Sequence, residues 1–139
     1  MFAVVRIRGS VNVSDDIEDT LNMLNLKSPN NCVVIPETKQ YLGMLRKAKD
    51  RITWGNVDKK TLSKLLEKRS KIPKEKLKEM KMKNLNDLSD ALIKNKMKLK
   101  LIFRLNPPMH GFKSTRLPYP KGDLGFRGEK INELLERMI

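Results

Sequence analysis

The first part of the chain alternates between strand-like and helix-like patterns of apolar residues. Apolar and polar side chains alternate from Phe2 to Arg8, as in a strand with one buried face. Ser14 is a typical helix N-cap, and the acids after it favour a helix whose apolar residues recur every three or four positions up to Leu24. The apolar run from Cys32 to Ile35, which Pro36 ends, predicts a buried strand.

A second helix and a third strand follow. Thr38 predicts the N-cap of the helix, and Tyr41, Leu45 and Ala48 form one apolar stripe along it. The stretch from Ile52 to Gly55 returns to an extended pattern. The predicted order is therefore strand, helix, strand, helix, strand, which is typical of an α+β domain.

From Asp58 onward the sequence becomes rich in lysine and helical in its apolar period. Leu62, Leu65 and Leu66 share one face of the first predicted helix, which Pro73 ends. The other predicted elements of this region are two weaker helices at about 74–83 and 87–94 and a strongly alternating strand at 97–105.

The segment from Arg104 to Gly128, named the Pro–Gly segment below, follows neither pattern. Its 25 residues hold four of the seven prolines, four of the seven glycines, five Lys or Arg and one acid, Asp123. Such a segment cannot build a core, but its cations and rings suit the phosphates and bases of a polyanion, against which we expect it to order. The alternative interpretation is a solvated, disordered loop.

A final amphipathic helix follows, with Ile131, Leu134, Leu135 and Met138 on one stripe. These elements predict one domain in three parts. They are an α+β core at 1–57, a lysine-rich helical insertion at 58–96, and a strand, extended basic loop and helix at 97–139 that complete the same domain.

The charge of the chain is large and unevenly distributed. The 139 residues carry 30 Lys or Arg and 16 Asp or Glu, a formal net charge of +14. Residues 1–38 hold three basic and five acidic groups, residues 39–83 hold 16 and five, and residues 84–139 hold 11 and six. A polarised positive charge of this size implies a lasting anionic partner such as nucleic acid.

What the sequence lacks disfavours several classes of protein. One cysteine excludes an intrachain disulfide, and one histidine does not suffice for a Cys/His zinc site. An RNA-modifying enzyme would need an acid–base pair or a nucleotide loop, and a duplex-DNA-binding protein a helix-turn-helix or zinc finger; neither signature is present. Without a long apolar run or a leader-like start, we expect a soluble, intracellular protein with no cofactor, membrane partner or small-molecule substrate.

Three stretches are more distinctive: KDRITWG at 49–55, FRLNPPMHGFK at 103–113 and GFRGEKINELLERMI at 125–139. They resemble the archaeal form of the L-thirty family of large-ribosomal-subunit proteins, whose eukaryotic members are named L-seven. The resemblance covers nearly the whole chain. It is weakest over about 66–99, where the helical insertion of the family is usually longer.

The resemblance implies a ferredoxin-like βαβαβ core and a structural, non-enzymatic role in the large ribosomal subunit of the cytoplasm. The implied partners are the large ribosomal RNA, near the 5S RNA, and neighbouring ribosomal proteins. The implied RNA-facing residues lie in the corner between the second helix and third strand and in the Pro–Gly segment. They are Arg46, Lys47, Lys49, Arg51, Thr53 and Trp54 in the corner, and Arg104, His110, Lys113, Arg116 and Arg127 in the segment.

Further candidates for RNA binding come from the pattern of the chain. Arg6 and Arg8 share one side of the first strand, and Phe112, Tyr119 and Lys121 complete the rings and cations of the Pro–Gly segment. Trp54 has a second interpretation as a core ring, and His110 is interpreted as a polar or stacking contact. The alternative function is a transient RNA-binding factor of ribosome assembly, which would share every compositional feature.

Overall fold

The computed structural model describes residues 1–69 and 101–139, and the predicted alternation of strands and helices is present in them. The elements are β1 Phe2–Arg6, α1 Asp15–Met23, β2 Asn31–Ile35, α2 Lys39–Lys47, β3 Ile52–Asn56, α3 Lys59–Arg69, β4 Leu101–Arg104, β5 Gly125–Phe126 and, after a 3-10 turn at Gly128–Lys130, α4 Ile131–Met138. The predicted helices at 74–83 and 87–94 and the first part of the strand at 97–105 lie outside the described residues.

The strands of the described residues form one five-stranded sheet in the order β4–β2–β1–β3–β5. β1 pairs antiparallel with β2 and β3, β2 pairs antiparallel with β4, and β3 pairs parallel with β5. β2 and β3 are therefore parallel and flank β1, and α2 connects them as in a ferredoxin-like sheet. The predicted α+β class is confirmed. β1 and β4 end, and β2, β3 and β5 begin, at the same end of the sheet.

Helices α1 and α2 cover one face of the sheet. Leu21 and Leu24 of the α1 region and Leu45 of α2 pack with Val4 and Trp54 of the strands in one buried cluster. The hydroxyl of Thr38 accepts a hydrogen bond from the Tyr41 N–H at 3.3 Å, which confirms the predicted cap of α2. Ser14 stands at the predicted cap of α1, but its side chain makes no capping hydrogen bond.

Helices α3 and α4 cover the other face. The predicted apolar stripes of both helices are buried in one cluster against the sheet, which confirms them: Leu62, Leu65, Leu66, Ile131, Leu134, Leu135 and Met138. Between the two helices, the Lys64 ammonium lies 2.5 Å from a Glu136 carboxylate oxygen, and this hydrogen bond lowers the pKa of Glu136. The first helix of the predicted insertion is thus a layer of the core.

The first strand differs from its prediction. All five residues of β1 are buried, because helices cover both faces of the sheet. The strand also ends at Arg6 and not at the predicted Arg8. The N–H groups of Ile7 and Arg8 both donate to the carbonyl of Arg51, at 3.0 and 3.2 Å, so the chain leaves the ladder there.

Cys32 is the single cysteine and is fully buried in β2. Burial raises the pKa of its thiol from 9.0 to about 12. The folded protein therefore keeps the thiol proton up to about pH 12, whereas the unfolded chain loses it from about pH 9. The contribution of this proton to stability is complete below about pH 9 and is lost as the pH rises towards 12.

We expect iodoacetamide at about pH 8 to alkylate Cys32 at least about a hundredfold more slowly in the folded protein than in urea. Between about pH 9 and 11, the wild type should also lose stability relative to a Cys32→Ala variant, which lacks the titrating thiol. Equal alkylation rates in the folded and unfolded states would contradict the burial of this side chain.

Candidate nucleic-acid interface

One end of the sheet collects basic side chains from separate parts of the chain. β1 and β4 end there, α2 ends there, and β3 and β5 begin there. The surface formed by these basic residues is named the basic end. The ends of these elements supply Arg8, Arg46, Lys47, Lys49, Arg51 and Arg104. The Pro–Gly segment, whose Thr115 borders the same cavity as Arg8 and Arg51, adds Lys113, Arg116 and Lys121.

Backbone hydrogen bonds between neighbouring strand ends hold this surface. The carbonyl of Arg51 accepts from two N–H groups just beyond β1. The Asn30 N–H donates to the Arg6 carbonyl at 2.8 Å, and the Leu105 N–H donates to the Asn30 carbonyl at 3.0 Å. The ends of β1 and β4 and the starts of β2 and β3 are therefore joined, and their basic side chains extend from a rigid base.

The Pro–Gly segment is fastened through its single acid. The buried carboxylate of Asp123 accepts hydrogen bonds from the backbone N–H groups of Lys113, at 2.5 Å, and Ser114, at 3.3 Å. The same carboxylate pairs with the Arg127 guanidinium at 2.5 Å. Charged partners strengthen such hydrogen bonds. The segment is thus closed into a loop whose base is Asp123.

The earlier part of the segment is attached to α4. The Arg137 guanidinium donates to the carbonyl of Met109 at 3.0 Å and to that of Gly111, and the Asn106 N–H donates to the Met138 carbonyl at 3.0 Å. Contacts within the chain therefore hold the segment, because Asp123 and Arg137 bind its backbone. That the segment orders further against a polyanion stays a prediction.

Most of the predicted RNA-binding side chains are accessible. Arg8, Arg51 and Phe112 are half-buried, and Phe112 packs against the α3–α4 cluster. Lys47 lies 3.8 Å from Asp16, so part of its charge is balanced. The exposed candidates are Arg46, Lys47, Lys49, Arg104, His110, Lys113, Arg116, Tyr119 and Lys121.

Arg6, by contrast, is a fully buried residue. Its Nε donates to the Arg8 carbonyl at 2.9 Å, and its Nη1 donates to two carbonyls of the α1–β2 loop at 2.6 and 3.1 Å. Its Nη2 donates to Ser10 Oγ at 3.0 Å and to a Glu18 carboxylate oxygen at 3.2 Å. Because these donors all act inside the protein, we do not retain Arg6 among the RNA-binding residues.

Thr53 and Trp54 also lie inside the domain. The Thr53 hydroxyl is buried and donates to the Gly125 carbonyl at 3.0 Å, which joins β3 to β5. Trp54 is only 6% exposed, and its ring centroid lies 6.2 Å from that of Phe126. Of the two interpretations of Trp54, the structure supports the core ring, and neither residue belongs to the basic end.

Arg127 has an internal role as well. It is 8% exposed, pairs with Asp123, and holds its guanidinium carbon 5.2 Å from the centre of the Tyr119 ring. This cation–π contact leaves Tyr119 as a partly exposed ring that Arg127 supports from within. Arg127 is therefore not retained as an RNA contact.

A cavity of about 380 Å³ opens beside the basic end. The Arg51 guanidinium forms part of its wall and donates to the carbonyls of Gly9, Val11 and Asn12, at 3.4, 3.2 and 2.5 Å. Burial lowers the pKa of Arg51, and the charges of Arg8 and Arg6 lower it further. The residues that line the cavity are Ile7, Arg8, Gly9, Val11, Asn12, Arg51 and Thr115.

Residues 9–12 and Thr115 were not among the predicted site residues. Gly9, Ser10 and Asn12 are turn-forming residues directly after a strand, a signal that marks a connection but not its role. Only the fold brings this connection against the Pro–Gly segment.

The chemistry that the basic end offers is the binding of anions by guanidinium and ammonium groups. Within residues 1–69 and 101–139, no three His, Cys, Asp or Glu side chains are grouped so that they could hold a metal ion. Of the helices in this described part, none has the length and apolarity required to cross a bilayer.

A small α+β domain with cations concentrated at one end is typical of proteins that bind nucleic acids. Residues 2–52 match the family described as ribosomal protein L30p/L7e. The chain is 42% identical over 153 aligned residues to the large ribosomal subunit protein uL30 of Nanoarchaeum equitans, with 100% of this chain and 99% of that protein covered. It is 43% identical over 152 residues to the protein of the same name from Methanosphaera stadtmanae, with 100% of both covered. The chain belongs to the ribosomal protein L30p/L7e family, and the resemblance to its archaeal form is confirmed.

Proposed function

We propose that this chain is a structural, non-enzymatic constituent of the large ribosomal subunit in the cytoplasm, where it binds and stabilises the large ribosomal RNA and supports subunit assembly. The observation that carries the proposal is the full-length likeness to archaeal proteins named large ribosomal subunit protein uL30. The basic end supports it, since a concentrated cationic surface suits a polyanion. We further propose a position near the 5S RNA and contacts with neighbouring ribosomal proteins.

The basic end would act through shape and charge. Its arginines and lysines neutralise phosphates and release counterions, which gives affinity without a base code. Folded ribosomal RNA brings phosphate ridges close together, and a surface fixed by the sheet and by Asp123 can match such ridges with little loss of conformational entropy.

Native lysate fractionated on sucrose gradients would test the proposal. We expect about one copy per mature large subunit, retained until salt is raised well above physiological levels. Crosslinking in that subunit, followed by sequencing of the attached RNA, would test the position near the 5S RNA. Confinement to precursor particles or to the free pool would contradict a constituent role and favour the assembly factor.

Charge reversal at the basic end should reduce incorporation. Arg116 and Lys121 are exposed, so we expect Arg116→Glu with Lys121→Glu to lower incorporation at least about tenfold in competition with wild type, because repulsion replaces attraction. The matched control is Lys39→Glu with Lys60→Glu, the same charge change on exposed residues at the opposite end of the sheet. Equal incorporation of both double variants, with unchanged thermal unfolding, would exclude the basic end as the docking surface.

A further inference from the structure

We propose that the cavity beside Arg8 and Arg51 is a phosphate-binding site that takes one phosphate group of the RNA backbone. This inference rests on the proposed function and assigns one specific site within it. The connection after β1, residues 7–13, contributes Ile7, Arg8, Gly9, Val11 and Asn12 to the lining of the site, and Arg51 and Thr115 complete it.

Two arginines fix the carbonyls of this connection. Arg6, from inside the domain, holds the Arg8 carbonyl at 2.9 Å. Arg51, from the start of β3, holds the carbonyls of Gly9, Val11 and Asn12. Four carbonyl oxygens of the connection therefore face guanidinium groups, and these hydrogen bonds restrain the loop before any ligand binds.

The amide groups of the same connection have no partner. None of the backbone N–H groups of residues 9–12 donates a hydrogen bond to any residue that the structure describes. The N–H of each trans peptide points opposite to its carbonyl, and the carbonyls of Arg8, Gly9 and Val11 already face guanidinium groups. The guanidinium groups of Arg8 and Arg51, and not these amides, are therefore the donors that an anion in the cavity would meet, while the amides of the connection lie beside it and report its binding.

The charges around the cavity favour the same ligand. Arg8 is half-buried, and its side chain makes no hydrogen bond or ion pair with any described residue. Its charge repels that of Arg51. The Glu18 carboxylate attracts Arg51 but is already hydrogen-bonded to Arg6 and Ser10. The Asp50 carboxylate also attracts Arg51 and so offsets part of the repulsion between the two arginines. An anion between Arg8 and Arg51 would therefore relieve a like-charge contact that the protein leaves only partly balanced.

The cavity has room for a phosphate group and the atoms next to it. Its volume of about 380 Å³ lies within the range for small-ligand sites, about 300–1,000 Å³. Arg8 and Arg51 line one side, and Thr115 of the Pro–Gly segment also borders the cavity. Two sources of phosphate fit this chemistry, a phosphodiester of RNA and free inorganic phosphate, and we assign the first.

The test uses the full-length protein and two probes, inorganic phosphate and purified large-subunit ribosomal RNA. Titration of the ¹⁵N-labelled protein with inorganic phosphate at constant ionic strength should shift the amide signals of residues 9–12. In the second arm, exchange of chloride for phosphate at matched ionic strength should weaken RNA binding several-fold. Arg8→Gln should abolish both effects. It should also make the negative slope of log affinity against log salt shallower by about 0.9, because one phosphate contact is lost.

Arg104→Gln is the matched control, since Arg104 is an exposed arginine of the basic end that does not line the cavity. It should keep both the amide shifts and the sensitivity to phosphate. Amide shifts without any effect of Arg8→Gln on RNA binding would identify a site for free phosphate and overturn the RNA assignment. Absent amide shifts, with Arg8→Gln indistinguishable from Arg104→Gln, would overturn the site itself. A wild type that fails to bind the RNA would instead overturn the proposed function.

Discussion

An alanine at position 55 is expected to destabilise the domain by about 3 kcal/mol. A Cβ atom added to Gly55 would lie 2.0 Å from the carbonyl oxygen of Gly128 and 3.0 Å from the Cβ of Ile131. The nearest atom belongs to the backbone of the turn that begins α4, so no side-chain rotation can relieve the contact. The strand and the helix would have to separate, and the Arg127 N–H to Trp54 carbonyl hydrogen bond of 3.0 Å would be strained.

Urea unfolding followed by circular dichroism would measure this loss as a lower midpoint with an unchanged slope. Gly43→Ala is the matched control. Gly43 lies within α2, and nothing stands within 4 Å of the position of an added Cβ. That variant should be about 0.5–1 kcal/mol more stable than the wild type, because alanine is the better helix former. A Gly55→Ala protein as stable as wild type would show that α4 does not pack this closely on β3.

The elements of the fold could be predicted from the sequence because their signals are local. The Thr38 cap and the apolar stripes of α3 and α4 each depend on residues within a few positions of one another. The packing of Gly55 against Gly128 could not be predicted in this way. It joins residues distant in the sequence, and a glycine in a strand carries no sign of what approaches it.

The candidate site was predictable as a region but not residue by residue. Charge density marked the corner after α2 and the Pro–Gly segment, and both lie at the basic end. The pattern could not separate exposed arginines from buried ones. Arg6 and Arg127 are buried because Glu18 and Asp123 lie where the fold brings a carboxylate to each. Whether the fold brings a carboxylate to an arginine, over four residues at Arg127 and over twelve at Arg6, decides whether that arginine serves the fold or a ligand.

Among the buried arginines, replacement of Arg6 should have the largest effect on the stability of the domain. We expect Arg6→Met to destabilise the domain by about 3 kcal/mol, because methionine fills the stem of the arginine but supplies no donor. The carbonyls of Arg8, Leu26 and Lys27 would lose their partner, and the Glu18 carboxylate would lose its charged neighbour. Since Glu18 keeps 30% of its side chain exposed, water can replace part of the ion pair but not the donors to the enclosed carbonyls.

Arg8→Met makes the same change two residues along the chain, on a side chain that contacts no described residue through a hydrogen bond or ion pair. Its free energy of unfolding, measured in urea, should lie within about 0.5 kcal/mol of the wild-type value. Its RNA affinity should fall. Arg6→Met should instead lose much of its stability. Its RNA affinity should also fall, because the connection at residues 8–12 is loosened. If Arg6→Met unfolded at the wild-type midpoint, the buried network could not be what holds the wall of the cavity in place.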